Sequence, residues 1–130
     1  MKKLLIFLAL FTSTFAATAQ TNDIGVLDFV SPTMSTPNGV NVPVTVRLAN
    51  YGTSPATMFP VTVNVSGVST YVLTATYTGT LLPDSIATFN VGTINVVGGT
   101  IACPNFIAYT SLANDVKLTN DTAYFCPNMD

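Results

Sequence analysis

Apolar and polar residues alternate strictly along residues 42–49, Val-Pro-Val-Thr-Val-Arg-Leu-Ala. Successive side chains of a β-strand point to opposite faces, so this alternation predicts a half-buried strand. Its inward face would carry four aliphatic residues, Val42, Val44, Val46 and Leu48. Residues 50–52, Asn-Tyr-Gly, follow directly, and we expect a turn there because Asn and Gly tolerate a positive φ angle.

The same alternation recurs in short stretches along the rest of the chain, separated by Gly, Pro, Asn and Asp. It predicts further strands at residues 23–30, 59–66, 71–78, 86–91, 101–111 and 120–126, with a short piece at 94–97. No helical periodicity follows residue 19. About seven short strands in one domain-sized segment favour an all-β fold, an antiparallel sandwich of two sheets, with a small barrel as the alternative.

The first 19 residues have the composition of a secretory signal peptide. Lys2 and Lys3 form a positive n-region, residues 4–11 are an apolar run, and residues 17–19 are the small residues Ala-Thr-Ala. A bilayer span needs about 20 apolar residues, so the run is too short to cross a membrane. A retained anchor or a buried helix is the alternative interpretation.

Cleavage between Ala19 and Gln20 would leave one domain, residues 20–130, outside the cell or in the periplasm. Charged residues make up 8% of the chain and hydrophobic residues 48%. The mature chain would keep only two basic residues, Arg47 and Lys117. Two cationic side chains are too few to neutralise a row of phosphates or to bind an anionic lipid surface. We therefore expect neither nucleic-acid binding nor membrane insertion.

Two cysteines, Cys103 and Cys126, stand near the ends of the last two predicted strands. In an oxidising compartment an even number of cysteines usually pairs, and no CxxC spacing suggests a redox role, so we predict a structural disulfide. If these strands form a hairpin, the cysteines face each other at its open end. That register pairs Phe106 with Ala123 and Ala108 with Asp121.

The sequence excludes several kinds of active site. The chain has no histidine, and its six acidic residues are all aspartates. Catalytic triads with a histidine base and zinc sites with imidazole ligands are therefore impossible. Asp115 and Asp121 are an acidic pair close in sequence, and we interpret them as turn formers rather than as a glycosidase pair. We expect no enzymatic activity.

The loop at residues 114–121 is the best candidate for a metal site. Asp115, Asn120 and Asp121 offer hard oxygen ligands of the kind that Ca²⁺ prefers. The spacing matches no DxDxDG loop, and Lys117 lies in its middle. Hairpin turn chemistry is therefore the default interpretation, and we expect no other cofactor.

Sugar binding would need an exposed aromatic side chain. Tyr71 and Tyr77 share the apolar face of one predicted strand and are expected in the core. Tyr51, in the turn after the first alternating strand, is the tyrosine that we expect to be most exposed.

The strand motifs resemble those of CARDB-type (cell-adhesion-related bacterial) immunoglobulin-like domains of secreted Bacteroidetes proteins. The resemblance covers about residues 23–122. It rests on the segments 23–26, 44–52, 77–83 and 109–113 and on Asn120-Asp121-Thr122. It implies a seven-stranded immunoglobulin-like sandwich without catalytic residues, acting as an adhesive module or spacer. Such domains usually belong to long multidomain chains, so a stand-alone protein and the front of a longer one both stay open.

Three functions follow as expectations. The first is a secreted, non-catalytic module for adhesion or for binding a protein or a surface. The second is a subunit of an extracellular fibre or surface layer that self-associates through its strand edges. The third is a carbohydrate- or calcium-binding module.

Overall fold

A computed structural model describes residues 21–37, 39–67, 69–96 and 101–129. The predicted signal peptide, residues 1–19, lies outside them. The described residues contain strands and no helix. The strands are β1 (Ile24–Ser31), β2 (Ser35–Thr36), β3 (Gly39–Asn50), β4 (Phe59–Ser66), β5 (Tyr71–Tyr77), β6 (Ile86–Val96), β7 (Ile101–Ala102), β8 (Asn105–Thr110), β9 (Thr122–Phe125) and β10 (Asn128–Met129).

Two antiparallel sheets contain all the strands of four or more residues. One has the order β1-β3-β6 and the other β5-β4-β8-β9. The two are separate in their hydrogen bonding, so the described strands do not close into the barrel considered as an alternative. Their inner faces share one hydrophobic core. Sheets that are apolar on one face are stabilised by this burial.

The predicted alternation is confirmed in β4 and in β3 as far as Leu48, but Ala49, which the alternation places on the outward face, is buried. All four aliphatic residues of the first alternating stretch are buried, and the outward residues between them include the exposed Pro43 and Arg47. Strand β4 begins and ends as predicted, at residues 59 and 66. Its inward residues are almost completely buried: Phe59, Val61, Val63 and Val65.

Aromatic contacts join the two sheets across the core. The ring of Phe29 in β1 lies edge-on to Phe106 in β8, with centroids 5.9 Å apart, and stacks on Phe125 in β9 at 5.5 Å. At the opposite side, Tyr77 of β5 lies edge-on to Phe89 of β6 at 5.5 Å. Tyr77 is therefore in the core, as predicted.

Strand β6 is one continuous strand, whereas the sequence predicted two pieces at 86–91 and 94–97. Val44 pairs with Gly92 and Thr45 with Asn90, which leaves Val91 as an extra residue. Such a bulge shifts the alternation by one position, so that Val91, Ile94 and Val96 are all buried. The shift interrupted the sequence pattern but not the strand.

The turn after β3 is correctly placed, but the predicted reason for it is wrong. Asn50 and Gly52 are not among the residues with positive φ in the described chain. Asn50 is the last residue of β3 and is 2% exposed, so its side chain forms its hydrogen bonds inside the fold. A Cβ atom on Gly52 would collide with the backbone oxygen of Thr21, so close backbone packing requires the glycine.

The disulfide between Cys103 and Cys126 is confirmed, with Cα atoms 4.5 Å apart. The predicted hairpin register is wrong by two residues, since Phe106 pairs with Phe125 and Ala108 with Ala123. Both cysteines lie outside the β8–β9 ladder, so their bond does not set its register. A shift of two residues keeps every side chain on its predicted face, which is why the burial pattern concealed it.

A third, small sheet was not predicted. It has the order β2-β10-β7, and β10 pairs parallel with β2 and antiparallel with β7. Strands of two residues show no periodicity, so the sequence gives no signal for them. The sheet places Met129 at 0% exposure in the core, and it brings the number of strands above the predicted seven.

Candidate functional site

The predicted metal loop lies against the start of β1. Asn22 forms a parallel bridge with Asp115. The backbone N–H of Val116 donates to the carbonyl oxygen of Asn22 at 2.9 Å, and the side-chain amide of Asn22 donates to the carbonyl oxygen of Ala113 at 3.2 Å. Segments about 90 positions apart in the chain are thereby joined. We call the group of Asp23, Asp115, Asn120 and Asp121 at this junction the acidic cluster.

Asp115 has both carboxylate oxygens occupied by backbone donors. Its Oδ2 accepts from the N–H of Ile24 at 2.8 Å, and its Oδ1 accepts from the N–H of Lys117 at 2.8 Å. The second bond is the turn chemistry expected of an aspartate in a loop. Asp115 therefore attaches the loop to β1 and has little capacity left for a ligand.

Asn120 and Asp23 are in direct contact. The Nδ2 group of Asn120 donates to Oδ1 of Asp23 at 2.7 Å, and Asp23 is 8% exposed. A carboxylate can accept but not donate, so this bond fixes the orientation of the Asn120 amide. The Oδ1 atom of Asn120 then points away from Asp23 and is buried without a hydrogen-bond partner.

Asp121 is 7% exposed, and its Oδ1 atom is also buried without a hydrogen-bond partner. Burial, and to a smaller extent the negative charges of Asp115 and Asp23, raises the pKa of Asp121 to about 6. Asp121 is therefore an acid in a largely buried position, near two other carboxyl groups.

The structure shows one salt bridge among the described residues, and it lies elsewhere. Arg47 of β3 pairs with Asp28 of β1 through two nitrogen–oxygen contacts on the outer face of their sheet. The hydrogen bond from Arg47 lowers the pKa of Asp28. Both side chains are more than 40% exposed, so the pair contributes little to stability.

The structure thus brings together all three predicted calcium ligands and adds Asp23. No group of three or more Asp, Glu, His or Cys side chains in the described ranges is arranged to hold a metal ion. Within the acidic cluster, Asn120 contacts Asp23 through its Nδ2 group and not through its amide oxygen. Sequence reasoning missed Asp23 because it lies 97 positions from Asn120, and no local pattern reports such a contact.

The expectation about tyrosines is partly wrong. Tyr51 is 47% exposed, but Tyr124 on the outer face of β9 is 76% exposed. Tyr51 borders a shallow cavity of about 190 Å³ with Leu27 and Ile86, and Tyr124 borders one of about 340 Å³ beside Met34. Small-molecule sites usually measure 300–1,000 Å³, so the first cavity is below this range and the second lies at its lower end.

The outer face of the β5-β4-β8-β9 sheet carries no charged side chain along its strands. Two rows of residues cross all four strands by direct pairing. One row is Thr74-Thr62-Tyr109-Thr122 and the other Val72-Asn64-Ile107-Tyr124. Strand β5 forms one edge of the sheet and pairs, among the described residues, only with β4. Its other side therefore has backbone N–H and C=O groups available to a further strand.

Comparisons with known proteins do not assign a family. No protein-family model matches the chain, and no curated protein matches it. Among the described residues there is no helix long and apolar enough to cross a membrane. The class of protein that the structure itself defines is an all-β domain of two packed antiparallel sheets with one disulfide.

Proposed function

We propose that the chain is a secreted, non-catalytic immunoglobulin-like module that binds a protein partner by strand addition at the open edge of β5. The order of the longer strands supports the immunoglobulin-like topology. With the two-residue strands set aside, β1-β3-β6 corresponds to strands A-B-E, and β5-β4-β8-β9 corresponds to C′-C-F-G.

The edge of β5 carries this proposal. Tyr71–Tyr77, Tyr-Val-Leu-Thr-Ala-Thr-Tyr, has neither a charge nor a proline and pairs with β4 without a bulge. Exposed edges are usually protected by lysines, prolines, bulges or covering loops, because an open edge accepts a strand from another chain. An edge without these features is suited to binding an extended segment through backbone hydrogen bonds.

The neighbouring outer face supplies side-chain contacts for such a partner. Val72 is 68% exposed on β5, and the hydroxyl groups of Thr74 and Thr62 are 3.1 Å apart on adjacent strands. Apolar and hydroxyl groups without charge favour a partner surface that is itself uncharged, because a buried unpaired charge is costly. The partner segment would therefore be a neutral, β-prone stretch.

Three further features support a secreted adhesive role. The disulfide indicates an oxidising compartment, as does the composition of residues 1–19. The resemblance to CARDB-type domains implies adhesion. The chain has no histidine, which excludes catalytic sites that use an imidazole base and supports a non-catalytic role.

The same edge favours one alternative, a subunit of an extracellular fibre or layer. The sequence of β5 is nearly symmetric about Thr74. Two antiparallel copies would pair Tyr71 with Tyr77, Val72 with Thr76 and Leu73 with Ala75. This contact closes a two-fold dimer, so a fibre would need a second contact elsewhere, for example at the β1 or β9 edge.

Matched variants test the proposal. Val72→Lys places a charge on the open edge, and Val116→Lys makes the same change at a 62% exposed position in the β8–β9 loop. The immobilised domain, residues 20–130, is offered the proteins secreted by the producing cells. We expect a protein that wild type and Val116→Lys retain and Val72→Lys loses, and that protects β5 amides from hydrogen exchange.

Equal retention by all three forms, or protection outside β5, would overturn binding at this edge. Light scattering of the domain alone distinguishes self-association from binding to a different protein. A dimer or larger assembly that Val72→Lys dissociates and Val116→Lys leaves intact would favour self-association, whereas a monomer would exclude it.

A further inference from the structure

The hydrogen bonds of the neighbouring strands determine which residues of β5 turn their backbone groups to the open side. The N–H of Ser111 donates to the carbonyl oxygen of Pro60 at 3.1 Å, so Pro60 turns its backbone groups toward β8. Successive residues of an antiparallel strand turn these groups to opposite sides. Val61 therefore turns its groups toward β5, where Ala75 is its partner. It follows that the open side of β5 presents the backbone groups of Val72, Thr74 and Thr76.

A second hydrogen bond gives the same assignment. The N–H of Thr110 donates to the carbonyl oxygen of Asp121 at 3.2 Å, so Thr110 faces β9 and Ser111 faces β4. Strand β5 pairs only with β4 among the described residues, and no other backbone bond in them involves the outward groups of β5. These groups are therefore free to pair with another chain.

A strand fits this edge when its own outward groups fall opposite those of β5. The β5 strand of a second copy does so. Two antiparallel copies centred on Thr74 place Thr74 opposite its own equivalent and Val72 opposite Thr76 of the other copy. Each outward residue then meets an outward residue, which gives up to about six backbone hydrogen bonds. A slip of one residue opposes outward and inward groups and loses these bonds.

The side chains of β5 are also compatible with a contact between identical copies. A two-fold axis brings each side chain near it close to its own equivalent, so that a charge there would be repelled by an equal charge. Strand β5 carries no charge. In the register centred on Thr74, Tyr71 lies opposite Tyr77 of the other copy, and facing aromatic residues stabilise a strand pair.

We propose that the partner at the β5 edge is a second copy of this chain, bound about a two-fold axis at Thr74. The two four-stranded sheets then form one continuous sheet with the paired β5 strands at its centre. This inference rests on the proposed strand addition at β5 and names the segment that is added. The module is then homophilic, since it adheres to identical modules. The contact is closed by its symmetry and produces a dimer, not a fibre.

Disulfide cross-linking of the mature domain, residues 20–130, tests the register. Thr74 is exposed, and hydrogen-bonded residues of an antiparallel pair have Cα atoms about 5.5 Å apart. A disulfide spans about 4.4–6.8 Å between Cα atoms, so Thr74→Cys should link two copies under mild oxidation. We expect most of this variant to migrate as a dimer on a non-reducing gel. Peptide mass mapping checks that Cys103 and Cys126 are still bonded to each other.

Thr76→Cys is the matched control, because it makes the same change on the same edge and face. Its two copies lie four positions apart along the paired strands, about 13 Å, which is too far for a disulfide. We expect at least about ten-fold less linked dimer than with Thr74→Cys. An equimolar mixture of Val72→Cys and Thr76→Cys places the two introduced sulfur atoms opposite each other, and it should link as Thr74→Cys does.

Equal linking of Thr74→Cys and Thr76→Cys would overturn the two-fold register. A domain that stays monomeric in light scattering and does not link through Thr74→Cys would overturn the homophilic contact. The capture experiment then shows whether the proposed function fails as well. A different protein retained through β5 leaves strand addition intact, whereas retention of no protein overturns both.

Hydrogen exchange gives an independent measurement on wild type. The amides of Val72, Thr74 and Thr76 face outward, and those of Leu73 and Ala75 face β4. Raising the protein concentration should therefore slow exchange at the outward amides and leave the inward ones unchanged. Exchange at the outward amides that does not depend on concentration would contradict pairing between copies.

Discussion

The hydroxyl group of Thr110 donates a hydrogen bond of 2.9 Å to the carbonyl oxygen of Ile24. Thr110 ends β8 in the four-stranded sheet, and Ile24 begins β1 in the three-stranded sheet. Both residues are buried, at 3% and 0% exposure. This bond therefore joins the two sheets at the end where the acidic cluster lies, through polar atoms that water does not reach.

Thr110→Val keeps the shape of the side chain and removes this bond. We expect a loss of about 1–2 kcal/mol in the free energy of unfolding, because the buried carbonyl oxygen loses a donor. Urea unfolding measures the change. Thr62→Val is the matched control, since its hydroxyl group lies on the outer sheet face, and it should cost less than about 0.5 kcal/mol. Equal costs would show that the inter-sheet bond is not responsible.

Asn50 organises the connection after β3 through its buried amide. Its Nδ2 group donates to the carbonyl oxygens of Ser54 and Leu81, both at 2.8 Å, and its Oδ1 accepts from the N–H of Gly52 at 2.9 Å. Asn50→Asp replaces two donors with a carboxylate that faces two carbonyl oxygens. We expect a loss of about 3 kcal/mol or more at pH 7 by urea unfolding.

The matched change for that experiment is Asn64→Asp, on the outer face of β4. It should cost less than about 1 kcal/mol, because water solvates the new charge there. The loss in Asn50→Asp should also shrink at acidic pH, where the carboxyl group can regain a proton and donate. A loss that stays constant with pH would argue against the electrostatic explanation.

The acidic cluster predicts that stability falls as pH rises. The pKa of Asp121 is about 6 in the folded protein against an ordinary value of 3.8, so the folded state binds this proton more tightly. The contribution is complete below about pH 4 and is lost as pH rises through 6. In calcium-free buffer we expect a decrease on the order of 1–3 kcal/mol between pH 4 and pH 7.

Asp121→Asn isolates this effect, because it removes the carboxyl group whose pKa is raised. The difference between wild type and variant should change with pH over the range 4–7 and be constant above it. Asp28 is a control of opposite sign. Its pKa is lowered by the hydrogen bond from Arg47, so its contribution is present above the ordinary value of 3.8 and is lost as pH falls below it.

The disulfide should account for a substantial share of the stability. Cys103 and Cys126 are 23 positions apart, and closing such a loop stabilises a chain by about 3 kcal/mol on the chain-entropy estimate. The double variant Cys103→Ser, Cys126→Ser should lower the free energy of unfolding by about that amount in urea. A change below about 1 kcal/mol would show that the small sheet holds the two segments without the bond.

The sequence predicted a strand correctly where the whole strand packs against the same core. In β4 every second residue meets the same core, so burial follows a period of two that the sequence displays. In β6 the extra residue Val91 depends on how β3 pairs with it, and the alternation broke at that point. The predicted register of the β8–β9 hairpin was wrong for a related reason, because a two-residue shift leaves the apolar faces unchanged.

The sequence by itself determined that the chain is all-β, which alternating aliphatic residues of β3 and β4 face the core, and that Cys103 and Cys126 pair. These properties follow from local alternation, composition and the small number of cysteines. Only the tertiary structure decided that β5 lies at an open edge of its sheet and that Asp23 is hydrogen-bonded to Asn120. Both depend on contacts between distant segments, whose closure is governed by the packing of two sheets and not by the order of neighbouring residues.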